Sequence, residues 1–475
     1  MQSLVNQIAC NNPDKIFSIN PLCTYGELEW KIRFVSQQLI QQHLTNQTLI
    51  VLARNTIEHV ILALACIRSK VIYAPVNNSI SCSQLNELVS KYKFNNIYAD
   101  NTNYSIPPKI KQVIINFNPV LNLIINKSEK VEIDDNIIAN LIFTSGSTGT
   151  PKAVAHCLKA HIANALGSQT NIPISNNDRY LLTLPIFHIG GFAIVIKTLI
   201  GKGCIVFPSA NKDLANDIIN YKITHLSLVP TQLFRLFSQQ FSFKNTIVKY
   251  ILIGGASIPK DLLTECLKQE VSPYISYGLS EMASQVCTKR IDETNINELD
   301  TGTVLPFRNV KISEHGEILV KGETLFLGYY DGQKLNLPTD EEGYFNTRDL
   351  GELSTVHGSL CLKVQGRVDN QFISGGENIQ PEEIEKILLS NKLIQKCIIV
   401  GVPDKEWGNM VIALIETVLS KKQLYEFCKN NLLRHQVPKK FYPINSLNID
   451  FNFKIKRKEI LKQILNLKDS IDEIS

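Results

Sequence analysis

Residues 143–152, F-T-S-G-S-T-G-T-P-K, constrain this chain more than any other stretch. Five hydroxyl residues are interleaved with two glycines, and a lysine follows a proline. Small residues let backbone N–H groups approach a polyphosphate closely, and hydroxyls add donors around its oxygens. The apolar run Ala139-Asn140-Leu141-Ile142-Phe143 ahead of it reads as a buried strand. The loop therefore lies at a strand end, where nucleotides bind in α/β sheets. Gly-Lys-Ser/Thr in that order is missing, so this is not the Walker pattern.

The rest of the chain supports an α/β body. Strand-like runs at 49–53, 71–76, 96–99 and 112–115 alternate with helical patterns such as 56–69, and the alternation returns twice between 180 and 253. That is the βαβ signature of parallel sheets. From Gly302 the pattern changes to alternating apolar and polar positions separated by glycine turns, which suggests a small antiparallel sheet or barrel. After Asp369 a helix opening on Pro381 and three acids, two strands and a further helix make a compact α+β unit. The expected organisation is a large N-terminal domain over 1–368, with 302–368 as its small β-rich part, and a small mobile C-terminal domain over 369–475.

Composition excludes several classes. A chain of 475 residues with 44% hydrophobic and 20% charged residues is an ordinary globular protein of two or three domains. A net charge of +5 is small for this length and forms no basic stripe, so no nucleic-acid partner is expected. Eleven cysteines are scattered singly with no C-x-x-C pair, which fits reduced thiols in the cytoplasm. No apolar run is long enough to span a membrane, and no signal-peptide core follows Met1. The oligomeric state is left open, a homodimer included.

Three further segments accompany the loop: Tyr277-Gly278-Leu279-Ser280-Glu281, Thr347-Arg348-Asp349-Leu350-Gly351, and Gly366-Arg367-Val368-Asp369 leading to Ser374-Gly375-Gly376-Glu377. In this order they resemble the adenylate-forming superfamily of acyl-CoA synthetases, luciferases and peptide-synthetase adenylation domains, over essentially the whole chain. The resemblance implies ATP, Mg²⁺ and CoA as the small molecules handled. Thr144, Ser145, Gly146, Ser147, Thr148 and Gly149 would wrap the β- and γ-phosphates. Lys152 would either touch phosphate or only order the loop. Ser280 would bond the α-phosphate and Glu281 would hold the Mg²⁺. Gly254, Gly255, Ala256, Tyr277 and Gly278 would bracket adenine, with Gly255 also facing the acyl group. Asp349 would accept the ribose hydroxyls and Arg367 would reinforce them. Asp369 would be the hinge of the C-terminal domain. Lys454, before Ile-x-Arg, would hold the transition state, although Asn452 and Phe453 stand where glycines are usual. Gly375 and Gly376 would lie along the pantetheine, and His188 would gate the acyl and thiol pockets.

The segments 225–236, 254–259, 277–287 and 375–385 resemble, more narrowly, ligases of small aromatic acids. The expected substrate is an aromatic dicarboxylic acid, whose second carboxylate needs its own cation. Arg235, one turn into a helix starting at Pro230, is the expected partner, because a planar guanidinium suits a carboxylate. The competing reading is a surface arginine. Another aryl or acyl acid, and an adenylation enzyme that loads a carrier protein or only binds adenylates, are the alternatives.

Overall fold

The computed structural model describes residues 3–101, 104–118, 132–144, 151–256, 258–297, 300–356, 358–375, 377–447, 457–466 and 473–474. Two sheets form the body. The first runs Leu335–Asn336, Gly328–Tyr330, Lys152–Cys157, Ile138–Thr144, Ile72–Val76, Thr48–Leu52, Asn96–Ala99, Lys111–Gln112. From Ile138–Thr144 onward it is parallel. Its inner strands are apolar on both faces, as parallel strands covered on both sides must be. The run at 112–115 departs from the sequence expectation. Only Lys111–Gln112 pairs, and Ile114 is 81% exposed. This is a sheet edge, with Val113 buried in the core and Ile115 packed against it.

The second sheet has thirteen strands. Cys204–Val206, Arg179–Leu181, His225–Leu228, Tyr250–Ile253 and Pro273–Leu279 are parallel neighbours. Past Pro273–Leu279 the sheet turns antiparallel, through Ser284–Arg290 and Thr303–Val304 to the long hairpin Phe345–Val356 and Ser359–Arg367. The β-rich segment is thus hydrogen-bonded into the larger sheet.

Helices Tyr25–Gln41, Ile57–Arg68 and Ile189–Ile200 share one apolar cluster with Val51 and Tyr73 of the first sheet and Tyr180 and Ile205 of the second. Ile57–Arg68 is buried almost all round. Its N-cap Thr56 accepts from the His59 N–H, and Glu58 and Arg68 sit at the ends the helix dipole favours. Each fully buried Leu, Ile or Val here contributes about 1.5–3 kcal/mol relative to exposure.

The C-terminal unit has strands Ile394–Asp404, Gly408–Thr417 and Lys440–Pro443. Period-two alternation splits its core. Ile399, Ala413 and Ile415 face helices Pro381–Leu388 and Lys421–Asn431, whereas Ile398, Val400 and Leu414 face helix Arg457–Asn466. The fold is α/β, with a large N-terminal domain and a small α+β C-terminal domain. Among the described residues no helix is long and apolar enough to cross a membrane. All eleven cysteines are free.

Candidate active site

The strands Ile138–Thr144 and Lys152–Cys157 form an antiparallel hairpin in which Thr144 faces Lys152. Ser145, Gly146, Ser147, Thr148 and Gly149 lie outside the described residues. The base of the hairpin is clamped. The Tyr92 hydroxyl donates to the Pro151 carbonyl at 2.6 Å and accepts from the Ala153 N–H at 3.2 Å. The Lys152 ammonium lies 4.8 Å from the centre of the Tyr329 ring, a cation–π distance.

Strand Pro273–Leu279 runs into a single 3₁₀ turn, Ser280–Met282, and returns as Ser284–Arg290. Gly278 is obligatory in this reversal: a Cβ there would stand 1.9 Å from the Ser284 carbonyl oxygen. His156 fixes the turn from behind. Its Nε2 donates to the Ser280 carbonyl at 2.6 Å, and its Nδ1 is 3.1 Å from the Asn140 amide. Burial pushes His156 down to about 4, so the ring is neutral. Glu281 is half-buried. Its Oε1 accepts from the Tyr329 hydroxyl at 2.7 Å.

Asp349 is buried, with both oxygens occupied. Oδ2 accepts from the Tyr277 hydroxyl at 2.6 Å and Oδ1 from Arg367 Nη1 at 2.7 Å. Burial, with the Asp349 charge added, holds the Tyr277 phenol well above its ordinary range, so it remains a donor. Asp369 is flanked by two guanidiniums, Arg348 at 2.9 Å and Arg367 at 3.4 Å. Tyr277, Asp349, Arg367 and Asp369 therefore form one connected chain of contacts.

Gly254, Gly255 and Ala256 follow strand Tyr250–Ile253, and Gly255 takes φ +84° facing Val229. His188 is the N-cap of helix Ile189–Ile200, with its ring 4.6 Å from Phe187. Gly375 takes φ +58° against the Trp407 ring, where a Cβ would come within 3.0 Å. Gly376 and Lys454 lie outside the described residues. Arg457, three positions after Lys454, is anchored by Glu385 at 2.7 and 2.6 Å and by Glu382 at 3.1 Å.

Arg235 departs from its expectation. Helix Pro230–Ser238 buries Pro230, Leu233 and Leu236, while Phe234 is 54% exposed and Arg235 is exposed beside it. The apolar surround that the sequence suggested is absent, because residue 235 sits about 200° round the helix from Leu233. The sequence reading overlooked a different cation. Lys197, on the helix opened by His188, is 4% exposed, and its ammonium donates to the Gln285 side-chain carbonyl. Gln285 lies just past the Ser280–Met282 turn. Burial and, secondarily, Arg308 push Lys197 down to about 7. Arg308 is buried too, bonded to the Gln285 backbone carbonyl at 2.7 Å. No carboxylate among the described residues pairs with either cation.

A carboxylate with one oxygen bound, a strand pair whose connection carries hydroxyls and glycines in the sequence, and a second acid wired to a tyrosine and an arginine are a set suited to a nucleotide. Sequence comparison agrees. The model for AMP-binding enzymes matches residues 6–330, and the model for the C-terminal domain of AMP-binding enzymes matches 383–454. The chain belongs to the AMP-binding enzyme family. Among its relatives, the 2-succinylbenzoate–CoA ligase of Salmonella typhimurium is 36% identical over 325 residues, 68% of each chain. That of Staphylococcus epidermidis is 28% identical over 455 residues, 93% of each. The o-succinylbenzoate coenzyme A synthetase of Bacillus subtilis, in complex with ATP and magnesium ion, superposes with a TM-score of 0.85. That comparison has 26% identity and covers 97% of this chain and 99% of that one.

Proposed function

We infer that this chain is an ATP-dependent acid–thiol ligase acting on 2-succinylbenzoate in menaquinone biosynthesis. A carboxylate oxygen of the acid attacks the α-phosphorus of ATP, the α–β P–O bond breaks, and pyrophosphate leaves. The thiolate of CoA then attacks the acyl carbonyl of the adenylate, and AMP leaves. Both steps bring anions together, so positioning and electrostatic stabilisation carry the catalysis.

The observation that carries the reading is two sets of contacts, one at the phosphate-loop hairpin and one at the proposed ribose acid, joined by strand Pro273–Leu279 as it enters the Ser280–Met282 turn. Lys152 meets Tyr329, Tyr329 meets Glu281, and Tyr277 joins the same turn to Asp349 and Arg367. In this reading residues 144–149 and Lys152 surround the β- and γ-phosphates, Ser280 bonds the α-phosphate, Gly254, Gly255 and Ala256 border adenine, and Asp349 takes the ribose. Glu281 suits magnesium, which takes few protein carboxylates and keeps phosphate oxygens and water. Nothing among the described residues occupies its second oxygen. When bound, magnesium neutralises phosphate charge. Lys454 serves adenylation, Asp369 is the pivot between a domain over 1–368 and one over 369–475, and Gly375, Gly376 and His188 border the thiol path. The eleven free cysteines fit a cytoplasmic location.

The dicarboxylic substrate is supported by Lys197. Buried cations without an anionic partner cost several kcal/mol each unless a ligand supplies the charge. Lys197 and Arg308, behind the turn that bears Ser280 and Glu281, fit the ring carboxylate better than exposed Arg235 does. The test is pyrophosphate release over a panel of aromatic acids, followed by acyl transfer to free CoA or to a holo carrier protein. Release with 2-succinylbenzoate and transfer to free CoA is the expected result. Release only with mono-acids removes the substrate assignment, and transfer only to the carrier protein removes the CoA assignment.

A further inference from the structure

Residues 326–330 touch both halves of the proposed phosphate site. The Phe326 N–H donates to the Glu281 carbonyl at 2.8 Å, and the Leu327 N–H donates to the Ala155 carbonyl at 2.8 Å. Tyr329 pairs in register with Val154, two residues along the strand from Lys152, so side chains at 152 and 154 share a face. The Tyr329 ring thereby lies under the Lys152 ammonium at 4.8 Å, while its hydroxyl reaches Glu281 at 2.7 Å. The acceptor is a carboxylate, so the phenol must donate. A glutamate side chain has three rotatable torsions, and a single anchored oxygen removes most of that freedom before any ligand arrives.

We propose that Tyr329 is a positioning residue for the adenylation step, which holds one oxygen of Glu281 so that the other is presented to the magnesium–nucleotide complex. This rests on the reading of Glu281 as the magnesium ligand. Its action is indirect, through Glu281, and the thioester-forming step does not require it.

The experiment compares wild type, Tyr329→Phe, Glu281→Gln and Tyr330→Phe. Phenylalanine keeps the ring and its edge contact with Phe326, 4.9 Å between centroids. Tyr330 stacks on Tyr92 at 6.4 Å on the same strand and serves as the control. Calorimetry measures the affinity of a non-hydrolysable ATP analogue with and without Mg²⁺, independently of turnover. In Tyr329→Phe the Mg²⁺-dependent gain in affinity should fall by about tenfold, the scale of one hydrogen bond to a charged group. Affinity without Mg²⁺ and thioester formation from supplied acyl-adenylate should stay at wild-type levels. Tyr330→Phe should match wild type throughout. A wild-type Mg²⁺ gain in Tyr329→Phe alongside a reduced one in Glu281→Gln overturns the role of Tyr329. A wild-type gain in Glu281→Gln overturns the reading of Glu281 itself.

Discussion

The nucleotide end and the acyl end of the proposed cleft are built differently. At the nucleotide end each charged side chain among the described residues already has a partner side chain. Asp349 sits between Tyr277 and Arg367, Glu281 on Tyr329, and Asp369 between Arg348 and Arg367. At the acyl end the buried charge is uncompensated: Lys197 and Arg308 have carbonyl partners but no anion among the described residues. ATP is a fixed ligand with a constant charge pattern, so its subsite is pre-organised. In the proposed reading the acyl subsite carries a charge imbalance that an acidic substrate removes. Discrimination between acids then follows from the cost of leaving that imbalance in place.

Four experiments break or sharpen this contrast. The largest effect belongs to the nucleotide end. Lys454→Ala should reduce acyl-adenylate formation by about 10²–10³-fold, the scale for losing one transition-state donor. Thioester formation from supplied adenylate should persist, and equal loss in both half-reactions measured by quench kinetics would remove the lysine from the first step. Next is Lys197→Met. It should weaken kcat/KM for 2-succinylbenzoate by about 2–5 kcal/mol. A mono-acid analogue lacking the ring carboxylate should be affected far less, and parallel losses on both acids would make the lysine structural.

The third is a pH experiment. Lys197 has its pKa lowered to about 7, so below that pH its ammonium is already charged. Above pH 7 the Lys197 amine is largely neutral while Arg308 keeps its charge, and an arriving carboxylate raises the lysine pKa again. Substrate binding should therefore take up a proton between pH 7 and the ordinary lysine range, and none below about pH 6. Calorimetry in buffers of different ionisation enthalpy reads this directly, and buffer-independent heats at pH 8 contradict it. The smallest effect is at Arg235. On an exposed helix face, Arg235→Ala should change stability and turnover by no more than about 0.5 kcal/mol. A large loss specific to the dicarboxylic acid would restore it as the carboxylate partner.

This division also explains what could be read from the sequence. The alternating strands and helices of the body were visible because burial imposes a local period, as in Thr48–Leu52 and Ile57–Arg68. The strand end at Thr144 and the turn bearing Glu281 were visible because glycine and hydroxyl residues mark reversals, whereas Asp349, inside strand Phe345–Val356, was legible only through the resemblance of its segment to the family. Lys197 and Tyr329 were not, because their partners lie 88 and 48 residues away. The signal for Lys197 was one lysine in an otherwise apolar helix, I-G-G-F-A-I-V-I-K-T-L-I. The exposure of Arg235 follows from helical phase: the buried positions take the three-residue step from Pro230 to Leu233 to Leu236, which places residue 235 outside, and its part in substrate binding rests on the Arg235→Ala experiment.

Residues 326–330 also act as a ruler. One end is pinned to the turn at Glu281 and the other to the strand after the phosphate loop, by backbone bonds that fix the count of residues between them. Strand side chains alternate, so a one-residue insertion there would exchange Tyr329 for its neighbour on the opposite face and take the hydroxyl from the carboxylate. The turn just beyond, where Gly332 takes φ +104° close against the Tyr92 backbone, joins this strand to Leu335–Asn336. Length change within this family should be tolerated less on the inner side of Tyr330 than on the outer side, a spacing rule set by two amide hydrogens and one phenol.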